Sequence, residues 1–108
     1  MSVLPTGTVT LLFTDIEGST RLWEQHPDAM TSALERHDEL LRSAIESAGG
    51  CVFKTVGDAF CAAFAAAKDA VAASAAAQRV LHTETWPEPV KLRVRMALHT
   101  GECEERDG

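Results

Sequence analysis

Near its start, the chain has a run of uncharged residues that favour extended backbone, from Thr8 to Thr14, and this run predicts a buried strand. From Pro27 onward, residues suited to a core recur at steps of three and four with charged residues between them, which is typical of an amphipathic helix. The positions of this stripe are Met30, Ala33, Leu34, His37, Leu40, Leu41, Ala44, Ile45 and Ala48. Proline suits a first helical turn and glycine supplies the positive φ that ends a helix, so we expect this helix between Pro27 and Gly49.

Two short β-rich runs follow, Cys51 to Val56 and Ala59 to Phe64, and Gly57-Asp58 between them suits a two-residue hairpin turn. In a regular hairpin with this turn, Lys54 lies opposite Cys61 and Cys51 lies opposite Phe64. Alternation along the strands then predicts two faces. Phe53, Phe60 and Phe64 are expected on the face that the helices cover, and Val52, Lys54, Val56, Ala59, Cys61 and Ala63 on the other.

An alanine-rich segment from about Ala65 to His82 predicts a second helix, with a narrow stripe at Val71, Ala75, Gln78 and either Leu81 or His82. After two prolines, apolar residues alternate with Arg93, Arg95 and His99, which predicts a half-buried strand that includes residues 92–99. The order strand, helix, strand, strand, helix, strand is that of an α+β, ferredoxin-like (βαββαβ) fold, an antiparallel sheet with both helices on one face.

Composition narrows the class of protein. The 108 residues are 45% hydrophobic and 24% charged, which fits one soluble globular domain. The net charge is -6 and there is no run of Lys or Arg, so we expect no direct contact with nucleic acid. The cysteines show no CxxC spacing, which argues against a disulfide framework or a zinc site and favours the cytoplasm. No apolar stretch is long enough to cross a membrane.

Polar residues interrupt the core pattern at two places. Asp15 directly follows the first strand, and the next residues include Gly18-Ser19-Thr20, a string able to offer backbone N–H groups to a phosphate. Asp58 lies in the hairpin turn, shortly after Lys54, a cation inside an otherwise apolar strand. Two aspartates that neighbouring strands bring together suit Mg²⁺, which takes a few carboxylate oxygens and shares its other positions with phosphates and water.

Each of these features also has a purely structural explanation. Ser19 or Thr20 could cap a helix, Asp58 is a common type of hairpin residue, and Lys54 could be a solvated lysine at a sheet edge. A ferredoxin-like interaction domain without any ligand would contain the same residues. The paired aspartates and the position of Lys54 argue against that alternative.

Taken together, three segments closely resemble the catalytic domain of class III adenylate and guanylate cyclases. They are Phe13-Thr-Asp-Ile-Glu-Gly-Ser-Thr20, Gly49-Gly-Cys-Val-Phe-Lys-Thr-Val-Gly-Asp-Ala-Phe60 and Arg93-Val-Arg-Met-Ala-Leu-His-Thr-Gly101. Long, ordered matches of this kind are much more specific than a lone glycine motif. The string from Gly7 to Asp15 is similar to the actinobacterial branch of the family. The resemblance divides the chain into an N-terminal tail, residues 1–7, and a partial nucleotidyl cyclase homology domain with a palm-like core, residues 8–108.

The resemblance implies a two-metal reaction in which ATP becomes 3′,5′-cyclic AMP and pyrophosphate. Asp15 and Asp58 would be the catalytic residues that hold two Mg²⁺ or Mn²⁺ ions, with the backbone carbonyl of Ile16 as a further ligand. The β- and γ-phosphates would be bound by Gly18, Ser19 and Thr20.

The resemblance assigns Lys54 to the base. A lysine at this position contacts adenine in the family and a glutamate favours guanine, so the expected substrate is ATP. Family sites form between two protomers, one supplying the aspartates and the other the lysine, so the expected partner is a second copy or another cyclase domain. The family also has a downstream Asn and Arg and a second base-reading residue, which have no counterpart before Gly108. We therefore expect this chain alone to be inactive, and we keep as an alternative a regulatory module that binds metal and nucleotide, or dimerises, without turnover.

Overall fold

The computed structural model describes residues 7–103. Four strands and three helices follow one another along the chain as β1 (Gly7–Ile16), α1 (Ser19–Gln25), α2 (Pro27–Ser47), β2 (Cys51–Val56), β3 (Ala59–Phe64), α3 (Ala67–Thr83) and β4 (Val94–Cys103). The strands form one antiparallel sheet in the order β2-β3-β1-β4. The α+β prediction is therefore confirmed, and α1 is an additional short helix between the first strand and the long helix. Within the described residues, no helix has the length and hydropathy needed to span a membrane.

The long helix follows its sequence pattern closely. Helix α2 begins at Pro27, and the chain leaves it through Gly49, whose φ is 84°. Its fully buried positions are Met30, Ala33, His37, Leu41 and Ile45, and the other predicted stripe residues pack against the same core. These residues meet Leu12 and Ile16 of β1 and Phe60 and Phe64 of β3, so the core lies between the helices and one face of the sheet.

Helix α3 packs through different residues from those predicted. Its buried face is Ala70, Ala73, Ala77 and Leu81, whereas Val71 is 56% exposed. Of the predicted stripe only Leu81 is buried, and Gln78 instead donates a hydrogen bond from Nε2 to the Val94 carbonyl at 2.8 Å. Alanine side chains let the helix axis come close to the sheet, so the small residues form the contact and the larger valine is left outside.

The predicted hairpin is present, but its register changes part-way. Lys54 pairs with Cys61 as expected, whereas Cys51 pairs with Ala63 and not with Phe64, because a β-bulge interrupts the ladder between Val52 and Lys54. The bulge adds one residue to β2 and so reverses the expected faces around it. Val52 packs against the core and Phe53 is 42% exposed, so the prediction for both residues was wrong.

Candidate functional site

Asp15 lies near the end of the central strand β1, directly opposite Arg95 in β4. Arg95 donates two hydrogen bonds to the carboxylate, from Nε to Oδ1 and from Nη2 to Oδ2, each at 2.7 Å. Both side chains remain open to solvent, with 44% of Asp15 and 64% of Arg95 exposed. The guanidinium holds the pKa of the Asp15 carboxyl below its usual value, chiefly through these hydrogen bonds. Asp15 is therefore ionised at neutral pH and already accommodates a cation.

Asp58 lies in the turn between β2 and β3, after Gly57, whose φ of 58° suits a glycine. Strands β1 and β3 are paired as far as Thr14 and Phe60. Asp15 directly follows Thr14 in β1, and Asp58 lies two residues before Phe60, in the turn that leads into β3. The sheet therefore brings the two predicted metal-binding aspartates to the same end of neighbouring strands.

A shallow cavity of about 300 Å³ opens at this end of the sheet. It is lined by Phe13, Thr14, Asp15, Ala59, Phe60, Cys61, Arg95, Met96 and Ala97. Its walls are mainly apolar, and Asp15 and Arg95 are its charged members. This combination of apolar walls with a few charged groups is common in small-ligand sites.

The predicted phosphate-binding string lies immediately beyond Asp15. Gly18 is the N-cap of α1 with φ 66° and makes no side-chain cap bond, so the prediction that Ser19 or Thr20 caps this helix is wrong. Both hydroxyl residues instead belong to the first turn of α1. The Glu17 N–H donates to the Arg93 carbonyl at 2.8 Å, which fixes the segment to the start of β4. The string is therefore held next to the aspartates, with Gly18 and Thr20 exposed.

Lys54 lies two strands away from Asp15. It is exposed in the edge strand β2 and pairs with Cys61, which in turn pairs with Phe13 of β1. Neighbouring strands lie about 5 Å apart, so Lys54 lies roughly 10 Å across the sheet from β1 and further still from Asp15. The sheet thus places Asp15 and Ile16 at the end of β1 and Asp58 just before β3, at the same end of neighbouring strands, whereas Lys54 lies on the edge strand β2.

The donor set fits hard divalent cations. Asp15 and Asp58 offer carboxylate oxygens, and Ile16 offers a backbone carbonyl. The bidentate contact with Arg95 shows that the Asp15 carboxylate can bind a cation. Residues 7–103 contain no group of three or more His, Cys, Asp or Glu side chains placed to hold a metal. The protein ligands would therefore supply only part of a coordination sphere, as is usual for Mg²⁺ shared with phosphates and water.

Sequence reasoning did not identify Arg95 as part of this site. The alternation of Arg93, Arg95 and His99 indicated only that these side chains lie on the polar positions of a strand. Asp15 and Arg95 are 80 residues apart, and their contact depends on the register between β1 and β4. No local signal in the sequence fixes that register.

Comparison with known proteins identifies the family. The model of the adenylate and guanylate cyclase catalytic domain matches residues 1–106. A solved structure of adenylate cyclases from Trypanosoma brucei, described as monomeric, is 33% identical and superposes with a TM-score of 0.87 over 94% of this chain. A dimeric guanylyl cyclase domain from the fungus Blastocladiella emersonii is 18% identical with a TM-score of 0.76 over 89% of this chain, a likeness of fold.

Among curated proteins, a receptor-type adenylate cyclase of T. brucei (GRESAG 4.3) is 67% identical over 30 residues, which are 28% of this chain and 2% of that protein. The chain spans 60% of the T. brucei structure and 58% of the fungal one. The match over residues 1–106 extends through every strand and helix described above. The chain therefore belongs to the adenylate and guanylate cyclase catalytic domain family.

Proposed function

We propose that this chain supplies the metal and triphosphate part of a class III adenylate cyclase site, which converts ATP to 3′,5′-cyclic AMP and pyrophosphate between two protomers. The observation that carries the proposal is the convergence of Asp15, Ile16 and Asp58 at one end of neighbouring strands, with an ionised carboxylate open to solvent. Curated relatives that match over 30 residues include adenylate cyclases, which supports ATP as the substrate.

In this proposal, Asp15, Asp58 and the Ile16 carbonyl hold two Mg²⁺ or Mn²⁺ ions. Such ions, when bound, favour ionisation of a ribose 3′-hydroxyl and neutralise charge on the phosphates. The chain contributes the orientation of the triphosphate, because Gly18, Ser19 and Thr20 lie directly beyond Asp15. Residues 8–108 act as one cyclase domain, with residues 1–7 as a tail.

Arg95 takes part through its contact with Asp15. It donates one hydrogen bond to each carboxylate oxygen, so a metal ion at Asp15 competes with a cation for the same two oxygens. A released guanidinium at the mouth of the site is suited to phosphate oxygens, which it can bind with two parallel hydrogen bonds. Arg95 thus balances the charge of Asp15 before the ions and nucleotide bind.

The position of Lys54 on the edge strand, two strands away from Asp15, supports a site shared between two protomers. Lys54 would read the base bound at a partner's aspartates, where the partner surface would bury its ammonium group. That group has only donors to offer, which match the N1 acceptor of adenine and leave the N1–H of guanine without an acceptor. A second copy of this chain or another cyclase domain can fill the partner role.

A second candidate is a cyclase homology module that binds metal and nucleotide, or pairs with another domain, without turnover. The observation that favours it is the bidentate Asp15–Arg95 ion pair, which satisfies both oxygens of the carboxylate without a metal. The two candidates share the metal and nucleotide site. They differ in whether cyclic AMP is formed.

Calorimetric titration of ATP with and without Mn²⁺ tests the shared site, and a cyclic AMP assay then separates the two candidates. Binding is expected only with the metal and is expected to disappear in Asp58→Asn, which keeps the shape of the side chain and removes its charge. Asp69→Asn, which changes an aspartate in the first turn of α3, is the control. Equal ATP binding with and without Mn²⁺, or unchanged binding in Asp58→Asn, would overturn the proposal.

The assignment of Lys54 to the base is tested by competition between ATP and GTP in the metal-dependent binding assay on the assembled dimer. Loss of one hydrogen bond to a charged group weakens ATP binding by about tenfold for each 1.4 kcal/mol. Lys54→Glu is expected to lower the ratio of ATP affinity to GTP affinity by at least about tenfold. Lys68→Glu, at an exposed position of α3, is the control. An unchanged ratio of ATP to GTP affinity in Lys54→Glu would show that Lys54 does not read the base.

A further inference from the structure

One buried aromatic side chain lies beside both segments that carry the predicted metal aspartates. Phe60 comes two residues after Asp58 in the chain and pairs across the sheet with Thr14, the residue before Asp15. It is 2% exposed and belongs to the main core. A shift of Phe60 would therefore move the backbone next to both aspartates at once.

Two side chains of helix α2, those of His37 and Arg42, contact the Phe60 ring. The ring of His37 meets Phe60 edge to face, with centroids 5.8 Å apart and an interplanar angle of 83°. The guanidinium carbon of Arg42 lies 5.6 Å from the Phe60 ring centroid. Edge-to-face and cation–π contacts both depend on ring orientation, unlike the general burial of an apolar side chain. Together they restrict how the Phe60 ring can lie.

Two residues that adjoin Phe60 carry buried polar atoms. His37 is completely buried in α2, with Nδ1 2.8 Å from the Asp38 carboxylate. Its Nε2 and the Thr14 Oγ1 are buried without a hydrogen-bond partner among the described residues. Buried polar atoms of this kind destabilise a core relative to apolar side chains of the same shape. Both belong to residues that adjoin Phe60.

We infer that His37, Phe60 and Arg42, here called the aromatic clamp, position Asp15 and Asp58 for metal binding. The inference rests on the proposed metal site. Helix α2 holds the Phe60 ring, the ring fixes the start of β3 against the end of β1, and these two strand ends carry the aspartates. His37, Phe60 and Arg42 are positioning residues, since they act through the backbone beside the ligands.

The first test compares two phenylalanines of the same strand. Phe60→Leu and Phe64→Leu remove the same atoms from side chains that are 2% and 1% exposed and face the same core. Phe64 pairs with Thr10, far along β1 from Asp15. Groups that orient metal ligands typically change metal affinity by 10- to 100-fold when altered. The Mn²⁺ concentration for half-maximal ATP binding is expected to rise about tenfold in Phe60→Leu and to stay within about twofold of wild type in Phe64→Leu.

A second comparison uses exposed residues, for which folding is not at risk. Arg42 and Arg36 lie on α2 with 47% and 48% of their side chains exposed, and each has a glutamate partner one turn away. Arg42→Met removes the cation over Phe60 and is expected to raise the Mn²⁺ midpoint about two- to fivefold, the range for an exposed cation–π contact. Arg36→Met is expected to leave the midpoint unchanged.

The buried histidine is tested by a conservative replacement. His37→Phe retains an aromatic edge toward Phe60 and is expected to keep the Mn²⁺ midpoint within about twofold of wild type, whereas His37→Leu raises it as Arg42→Met does. Equal midpoints in His37→Phe and His37→Leu would remove His37 from the clamp.

Amide hydrogen exchange at residues 57–59, measured without metal, tests the clamp independently of the nucleotide site. Exchange is expected to be faster in Phe60→Leu and Arg42→Met than in Phe64→Leu and Arg36→Met, because the turn loses its anchor. If the wild type showed no metal-dependent ATP binding, the proposed function would fail and the exchange rates alone would decide the clamp. Equal exchange at these residues within each matched pair would overturn the inference.

Discussion

At the residue scale, the ion pair between Asp15 and Arg95 controls the charge of the site. The pair lies at a solvent-exposed sheet end, so its contribution to stability is small, as for most exposed ion pairs. Its effect on Asp15 is more specific, because two hydrogen bonds to one carboxylate favour the ionised form and also occupy the oxygens that a metal needs. Removal of Arg95 should therefore separate these two effects.

In Arg95→Met, the pKa of the Asp15 carboxyl is expected to rise toward its usual value of 3.8, because the hydrogen bonds that lower it are gone. Mn²⁺ is expected to bind more tightly near neutral pH, where Asp15 stays ionised and no longer has a competing cation. Carbon-detected NMR titration of the carboxyl and a Mn²⁺ titration measure the two quantities. Arg93→Met, two residues earlier in the chain, is the control. Weaker Mn²⁺ binding in Arg95→Met would mean that Arg95 assists the metal site and does not compete for it.

The same pair predicts a pH dependence of stability with a definite sign. The folded-state pKa of Asp15 is lowered, so its stabilising effect is complete above the usual pKa of 3.8 and is lost as the pH falls through the lower folded-state value. Wild type should therefore lose slightly more stability than Arg95→Met when the pH is lowered from 5 to 2. Urea unfolding at a series of pH values measures this difference, and identical pH profiles would contradict it.

At the element scale, the sequence predicted the elements whose signals are local. Helix α2 has a proline at its start, glycines after its end and a full stripe of core residues, and the structure confirms each of them. The sequence indicated a helix after Gly18 only through the possible caps Ser19 and Thr20, because a seven-residue element is too short to show a repeating pattern. The predicted buried face of α3 was wrong because the prediction favoured large apolar side chains. Alanine allows the helix to approach the sheet closely, so alanines form most of the buried face.

The bulge in β2 could not be read from the sequence for a different reason. A hairpin turn sets the register near the turn, and Lys54, Thr55 and Val56 pair as the turn predicts. Farther away, the packing of Gly50 and Val52 against the core decides the pairing, and that packing depends on α2. Similarly, the sequence predicted Asp15 and Asp58 as a pair of ligands from the expected fold, whereas the contact of Asp15 with Arg95 depends on the register between β1 and β4.

Gly50 shows how closely the elements pack where α2 meets β2 and β3. A Cβ atom added at this residue would lie 2.5 Å from Cε2 of Phe64 and 2.8 Å from Cγ2 of Ile45. Gly50→Ala is therefore expected to lower the free energy of unfolding by about 1–3 kcal/mol, the usual effect of overpacking a core. Urea denaturation measures the change, with Ser47→Ala on the exposed end of α2 as the control. A loss no greater than that of the control would contradict the packing described here.

At the scale of the whole molecule, the helices cover one face of the sheet and the other face remains open. Phe13, Phe53 and Val56 are 40%, 42% and 58% exposed. Phe13 lies in the same row across the sheet as Lys54 and Cys61, on the side away from the core. An exposed apolar surface around a charged residue is typical of a protein interface. This open face is consistent with the proposed pairing of two cyclase domains.

We expect self-association through the open face, even though the net charge of -6 opposes aggregation. Phe13→Glu places a charge on the open face, where association would bury the phenylalanine. It is expected to weaken association by at least about tenfold, since burial of such a side chain contributes about 1.5–3 kcal/mol. Val71→Glu, on the helix side of the molecule at 56% exposure, is the matched control. Sedimentation velocity over a concentration series measures both. A wild type that stays monomeric at high concentration would contradict this prediction.

The central claim is that Asp15, Ile16 and Asp58 form a divalent metal site, and paramagnetic broadening by Mn²⁺ tests it most directly. In an amide NMR spectrum of the wild-type chain with substoichiometric Mn²⁺ and ATP, we expect the signals of residues 15–19 and 57–59 to broaden first. In Asp15→Asn the same signals should stay sharp at the same Mn²⁺ concentration. Broadening centred elsewhere, or broadening at residues 15–19 and 57–59 that persists in Asp15→Asn, would contradict the assignment of the site.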